Sequence, residues 1–219
     1  MKGFFKDNKV FIILYFAILL ILLPYLIIFT KGNIHLYINN LHSISTDFFF
    51  KYITNLGSGL VVVFISVLYL FISFRKTSII AVSGIMSGLI VQILKQVLFN
   101  GTVRPIKFFE GTSNLHLIDG VDVLAYNSFP SGHSATIFAL CLCLAAFSKL
   151  KLWKIALFCI AILVAFSRIY LSQHFLTDVY VGSIIGVLSA AVAVICINKK
   201  KAAWLDKSLP GIYKKSQIR

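Results

Sequence analysis

Three short polar blocks interrupt an otherwise apolar sequence, and their residue types suit the handling of an anion. The richest is Ser167-Arg168-Ile169-Tyr170-Leu171-Ser172-Gln173-His174-Phe175-Leu176-Thr177-Asp178, which joins two strongly apolar segments. With a helix running from His174 onward, His174 and Asp178 are four apart and share one face. A carboxylate below an imidazole fixes its tautomer and leaves the other ring nitrogen free to attack or to accept a proton. Arg168 adds a planar cationic fork suited to phosphate oxygens. Taken alone, a His and an Asp at a loop-to-helix junction read more readily as a cap or a surface pair.

The second block, Pro130-Ser131-Gly132-His133, precedes an apolar run. Gly132 lets backbone approach a ligand closely, and the first N–H groups of a helix point at whatever sits there, which makes an anion site. Ser131 can donate a hydroxyl, and His133 a proton. A capped helix start with an incidental His fits the tetrapeptide equally well. The third block is Lys95 with Arg104-Pro105. An ammonium inside a span is costly and marks function, unless it snorkels into the head groups. Lys95, Arg104 and Arg168 together would give one pocket three cations, matched by an anion with several oxygens. His133, His174 and Asp178 would also suffice as a three-ligand zinc site, but the three cations would repel the metal. No metal and no cofactor is expected.

The elements that must position these residues are apolar helices. Of 219 residues 59% are hydrophobic and 13% charged, and apolar runs near the length needed to cross about 30 Å of hydrocarbon recur along the chain. An integral membrane protein is expected. The spacing predicts six spans: about 10–29, with a kink at Pro24, then 57–74, 78–99, 133–148, 152–166 and 179–197. The first run is too long for a signal-peptide core and lacks a small-x-small cleavage site, so it reads as an uncleaved helix. Residues 33–56, with His35, His42, Asp47 and Phe48-Phe49-Phe50, suit an amphipathic segment at the interface. In the third span Gly84, Ser87 and Gly88 permit close helix contact. Cys141, Cys143, Cys159 and Cys196 all fall in apolar runs and read as small hydrophobes. Residues 1–198 are expected to form one membrane domain and 199–219 a basic, disordered tail.

Six spans put both termini on one side. That side carries fifteen of the twenty-one Lys and Arg residues and the other side six, including Lys95, Arg104 and Arg168. The positive-inside rule then makes the termini cytoplasmic and brings all three polar blocks to the exterior face. The formal charge of +14 is thereby explained as orientation and affinity for anionic lipid heads, without nucleic acid.

Together the three blocks resemble the type 2 phosphatidic acid phosphatase (PAP2) superfamily of membrane phosphatases, relatives of the vanadium haloperoxidases. The family pattern is Lys-x6-Arg-Pro, then Pro-Ser-Gly-His, then Ser-Arg-x5-His-x3-Asp. The last two match at Pro130–His133 and at Ser167-Arg168, His174 and Asp178; the first departs, with eight residues between Lys95 and Arg104. The resemblance implies a metal-independent phosphatase working through a phosphohistidine. It makes His174 the nucleophile, Asp178 its orienting carboxylate and His133 the proton donor to the leaving oxygen. Lys95, Arg104, Arg168, Ser131 and Gly132 would hold the phosphoryl oxygens. Fixed cations in place of magnesium accord with what phosphoryl transfer requires.

The expected substrate is a membrane lipid phosphate or diphosphate: undecaprenyl diphosphate, a lipid A phosphate, phosphatidylglycerol phosphate or phosphatidic acid. The expected location is a bacterial plasma membrane. An anion transporter and a non-catalytic lipid-binding protein are the alternatives. Against the first, the charged residues gather at one face and no repeat or broken helix reaches the midplane; the second has no use for a nucleophile–carboxylate pair. Oligomeric state is open.

Overall fold

Long apolar runs fold as helices in a bilayer because a helix satisfies its own backbone polar groups. The computed structural model describes residues 2–216. Its helices are α1 (Lys2–Asp7), α2 (Lys9–Ile28), α3 (Lys31–Asn39), α4 (Ile44–Ile53), α5 (Gly59–Leu70) and α6 (Phe74–Ile93). They continue as α7 (Pro105–Phe108), α8 (Gly132–Ala146), α9 (Lys151–Tyr170), α10 (Leu176–Asn198) and α11 (Leu209–Ser216). Tight 3-10 turns follow α4 at Thr54–Gly57 and precede α11 at Ala203–Asp206, and a π-turn extends α6 over Leu94–Leu98. Among the described residues, strand pairing is limited to one bridge between Val103 and Tyr126.

Four stretches are long and apolar enough to cross a membrane: Lys9–Ile28, Phe74–Leu98, Lys151–Tyr170 and Leu176–Asn198. The stretch Ile44–Gly57 and α5, bent by 57°, make a fifth only if the pair is one broken span. α8 is apolar but has only 15 residues, about 22 Å of helix. It is nevertheless the centre of the bundle: ten of its residues are buried, with α6, α9 and α10 packed around it. α2 is its opposite, burying only Phe11 and Tyr15 while Leu20, Ile27 and Ile28 are 68%, 75% and 71% exposed. So continuous an apolar surface belongs in lipid. The chain is an integral membrane protein.

α10 touches α8 backbone to backbone. A Cβ at Gly182 would lie 2.4 Å from the Ser131 carbonyl oxygen, and one at Gly186 would lie 2.2 Å from that of Ala135. The small-xxx-small spacing permits this approach, and it sets the N-terminal ends of α8 and α10 side by side.

Several expectations need correction. Ser167–Tyr170 belong to α9, so the link between the last two spans is shorter than the polar pattern suggests. His174 precedes α10 rather than lying in it. α5 ends at Leu70, short of the expected 74, and Arg75 and Lys76 sit in the first turn of α6. Gly84 does meet α5, where an added Cβ would lie 2.7 Å from Val62, but Gly88 faces open space. Cys141 and Cys143 are buried, whereas Cys159 and Cys196 are exposed. The start of the basic tail is ordered: Arg75 pairs with Asp206, Nε to Oδ1 at 2.6 Å and Nη2 to Oδ2 at 3.0 Å. Its Nη1 also binds the carbonyls of Ile197 and Lys200, which satisfies the C-terminal end of α10. Lys214 and Lys215 lie in α11, and Arg219 lies outside the described residues.

Candidate active site

Asp178 occupies the third position of α10, and its Oδ2 accepts the N–H of Phe175 at 3.0 Å. This is half of a capping box, and it fixes the backbone immediately after His174. The same oxygen accepts from Ser128 Oγ at 2.5 Å and lies 3.4 Å from His174 Nδ1. The pair thus meets at i,i+4 although only Asp178 is helical. His174 and Asp178 are 2% and 3% exposed. Burial pushes the His174 imidazole down to about 3; Asp178 opposes the shift, while Arg104 and Arg168 add to it. The ring is neutral at pH 7. With Nδ1 protonated toward the carboxylate, Nε2 carries a free lone pair.

The backbone of Asp178 ties the second block to the third, because its carbonyl accepts the N–H of Ser131 at 2.9 Å. Ser131 is the N-cap of α8, with Oγ accepting from Ser134 Oγ at 2.9 Å and Ser134 N at 3.4 Å. Its own hydroxyl proton stays available. Gly132 opens the helix and His133 follows, half-buried. His133 packs against the turn after α4: a Cβ on Gly57 would lie 3.1 Å from both Cβ and Cδ2 of that ring.

The cations converge by different routes. Arg168 lies in the last turn of α9, 8% exposed, and donates from Nη1 to Thr54 Oγ1 at 2.8 Å. Its Nε is buried with no partner among the described residues. Arg104, 5% exposed, donates from Nε to the Tyr126 carbonyl at 2.9 Å and from Nη1 to the carbonyl and Oε1 of Gln173 at 3.1 and 3.2 Å. Its Nη2 reaches the Asn127 carbonyl at 3.3 Å, and Lys95 Nζ reaches that same oxygen at 2.9 Å. Lys95 and Arg104 therefore converge despite their spacing. The π-turn and the left-handed turn at Gly101 (φ 76) take up the additional length, and Asn127 Oδ1 accepts the Gly101 N–H at 3.1 Å. Burial lowers the Arg104 guanidinium from its ordinary value, with Asp178 opposing, and it remains a cation.

A cavity of about 330 Å³ opens beside His133 and Arg168, bounded also by Thr54, Asn55, Gln173 and Asp122. His174 does not line it directly. Behind His174, Ser172 (φ 53) is held by His35 Nε2 at 3.1 Å and by Asn39 Nδ2 at 3.3 Å. Those two residues are four apart on α3, a spacing visible in the sequence. Ser128, Thr54, Gly57 and Gln173 carry no comparable signal, since each acts across a long stretch of chain. Further out, Asp47 accepts from Tyr170 Oη at 2.5 Å and lies 2.8 Å from His116 Nε2, which ties α4 to α9 and to the long connection.

A profile of the PAP2 superfamily matches residues 76–202, more than half of the chain. The protein belongs to the PAP2 superfamily. No curated protein gives a significant match. Two solved structures are similar. LpxE of Aquifex aeolicus is 28% identical, with a TM-score of 0.66 over 74% of this chain and 93% of that one. A transmembrane PAP2 type phosphatidylglycerolphosphate phosphatase of Bacillus subtilis has a TM-score of 0.63 over 91% of this chain and 99% of its own. At 21% identity the second likeness speaks to the fold. The chain thus combines membership of the PAP2 superfamily with the fold of two membrane phosphatases.

Proposed function

We propose that the protein hydrolyses the phosphate or diphosphate head group of a membrane lipid through a phosphohistidine, without a metal ion. The observation that carries this reading is the buried, neutral His174 held by Asp178 beside two cations whose N–H groups are not all used. His174 Nε2 attacks phosphorus, and the bond to the lipid oxygen breaks as that oxygen takes a proton from the imidazolium form of His133. Asp178 stabilises the imidazolium that forms. Water then attacks the phosphorus, passing its proton to His133 as the P–N bond breaks and inorganic phosphate leaves. Lys95, Arg104 and Arg168, with the Ser131 hydroxyl and the Gly132 N–H, stabilise the phosphoryl oxygens throughout.

The reading extends to topology. Six spans, with the bent α4–α5 pair as the second and α8 as a short, protein-enclosed fourth, put both termini in the cytoplasm and His174 at the exterior face of a bacterial plasma membrane. Residues 1–198 act as the phosphatase domain and 199–219 as a basic cytoplasmic extension. A head group then enters the polar cavity while its tails stay in the bilayer. Undecaprenyl diphosphate, a lipid A phosphate, phosphatidylglycerol phosphate and phosphatidic acid all meet that description.

The test is phosphate release by the purified protein in detergent from these lipids, with EDTA present. Release from at least one, and inhibition by vanadate, are expected. Loss in EDTA with rescue by zinc would overturn metal independence; binding without release from any lipid would favour a non-catalytic lipid-binding or transport role. For topology, Asn114→Cys in a cysteine-free background is expected to react with an impermeant maleimide in intact cells, and Ser216→Cys is not. The reverse labelling would move the site to the cytoplasm.

A further inference from the structure

The opposite end of the bundle holds a cavity of about 680 Å³ where α1 meets α2 and α8 turns into α9. Five lysines line it, Lys6, Lys9, Lys149, Lys151 and Lys154, against one carboxylate, Asp7. Their two chain segments are held in register by a buried strut. Lys154, 3% exposed, donates from Nζ to the Asp7 carbonyl and, at 3.3 Å, to Asn8 Oδ1, across 146 to 147 positions of sequence. Asn8 is itself 1% exposed and donates from Nδ2 to the Phe4 carbonyl at 3.1 Å. The corner is therefore built rather than incidental.

The remaining four lysines are exposed, and among the described residues none takes part in an ion pair. Like charges gathered so closely repel unless an anion joins them. α2 and α9 both begin here, and neither Asn8 nor Leu150 caps its helix with a side chain, so two positive dipole ends add to the field. Below the lysines the wall turns apolar, with Val10 and Ile13 of α2. Cations above an apolar floor, at the start of two membrane-crossing helices, match an amphiphile better than a soluble anion. Lys151 and Arg168 lie seventeen residues apart on α9, about 25 Å, so this cavity is separate from the candidate active site.

We propose that this corner is a discrete site for an anionic phospholipid. Its phosphodiester sits among Lys6, Lys9, Lys149 and Lys151, and one acyl chain lies along Val10 and Ile13. The lipid clamps the α1–α2 corner to the α8–α9 turn and is not hydrolysed there.

Trp153, 48% exposed and flanked in α9 by Lys151 and Lys154, is a built-in reporter. The full chain with Trp204→Phe is reconstituted in phosphatidylcholine vesicles, and Trp153 fluorescence is read as brominated phosphatidylglycerol or brominated phosphatidylcholine is added. A preference of about tenfold for the anionic lipid is expected, falling to about one when Lys6, Lys9, Lys149 and Lys151 are all changed to Gln. Lys154 is left in place, and phosphate release in detergent reports that this variant is folded. The single reversal Lys149→Glu gives an independent reading, with an expected loss of at least about threefold. Changing Lys199, Lys200 and Lys201 to Gln is expected to preserve the preference. Three results would overturn the proposal. Absence of preference in the parent means that no site exists, and an equal loss in the tail variant means a diffuse field. Full competition by soluble glycerophosphoglycerol means a site for soluble anions.

Discussion

At the end of the bundle that holds His174, Arg104 and Arg168 are 5% and 8% exposed and donate to carbonyl and side-chain oxygens supplied by other elements. At the end that holds the termini, Lys149, Lys151, Lys200 and Lys201 are exposed, and Arg75 pairs with an Asp206 whose side chain is 65% exposed. The two ends use the same charge for different work. Buried cations have lost rotamer freedom and water during folding, so they meet a ligand already aimed, with little left to reorganise. Exposed lysines keep both and contribute a field that salt can screen. Lys95 and Arg104 share the Asn127 carbonyl, so repulsion between them is offset by a fixed protein oxygen, whereas the exposed lysines around the opposite cavity keep their ammonium groups in solvent.

The largest effect that would sharpen this contrast is at His174. His174→Ala is expected to abolish turnover and phosphoenzyme with every substrate. His133→Ala is expected to lose about 10²–10⁴-fold and to recover in part with an activated aryl phosphate, whose leaving oxygen is a weak base. Equal recovery of both variants would mean that the two roles are wrongly assigned.

Next is Arg168→Lys, with an expected loss of about 10²–10³-fold in kcat, while Lys200→Gln with Lys201→Gln stays within about twofold on a detergent-dispersed substrate. Comparable losses at the two ends would break the comparison. Gly57→Val is expected to push His133 aside and to cost about 10²-fold in kcat, with a lowered thermal midpoint because its Cβ also meets the buried Val164 at 3.0 Å. Ser128→Ala is expected to cost about tenfold, by removing a hydrogen bond to a carboxylate that positions His174.

The last effect is on stability rather than on rate. His174 and His35 have folded values pushed by burial down to about 3 and about 4, so the unfolded chain binds their protons first as pH falls. Stability is therefore full above about 6.5 and declines from there toward 4, by an amount of order 1 kcal/mol per histidine per pH unit. Thermal scans at several pH values check this, and His35→Gln is expected to flatten part of the slope. A midpoint that rises on acidification would contradict it.

The blocks of the candidate site were legible because an anion site calls for particular residue types and because they stand in the order of the PAP2 pattern, and the spans because lipid demands length and apolarity. Less legible was whatever depends on how elements meet. The eight-residue gap after Lys95 reads as a departure until a π-turn absorbs it. Ser167–Tyr170 read as a polar link, but Ser167 Oγ donates to the Val164 carbonyl at 2.6 Å and the turn remains helical. The Gly182-x-x-x-Gly186 pair lay in plain view, yet only the backbone it touches gives it meaning. The tail reads as disordered from its lysines, although Asp206, the acid that docks it, is a single residue among them.

Contact at Gly182 and Gly186 also sets the order in which the protein loosens. With carbonyls of α8 against the α10 backbone, neither helix can tilt or slide without a steric collision, so this pair opens only when the fold as a whole does. α2, by contrast, is anchored through few side chains and can separate while the rest persists. In hydrogen exchange, amides of α8 and α10 are expected to be the slowest and those of α2 among the fastest. Heat or harsh detergent would then strip the periphery first and leave His174, Asp178 and Ser131 assembled until the final cooperative step.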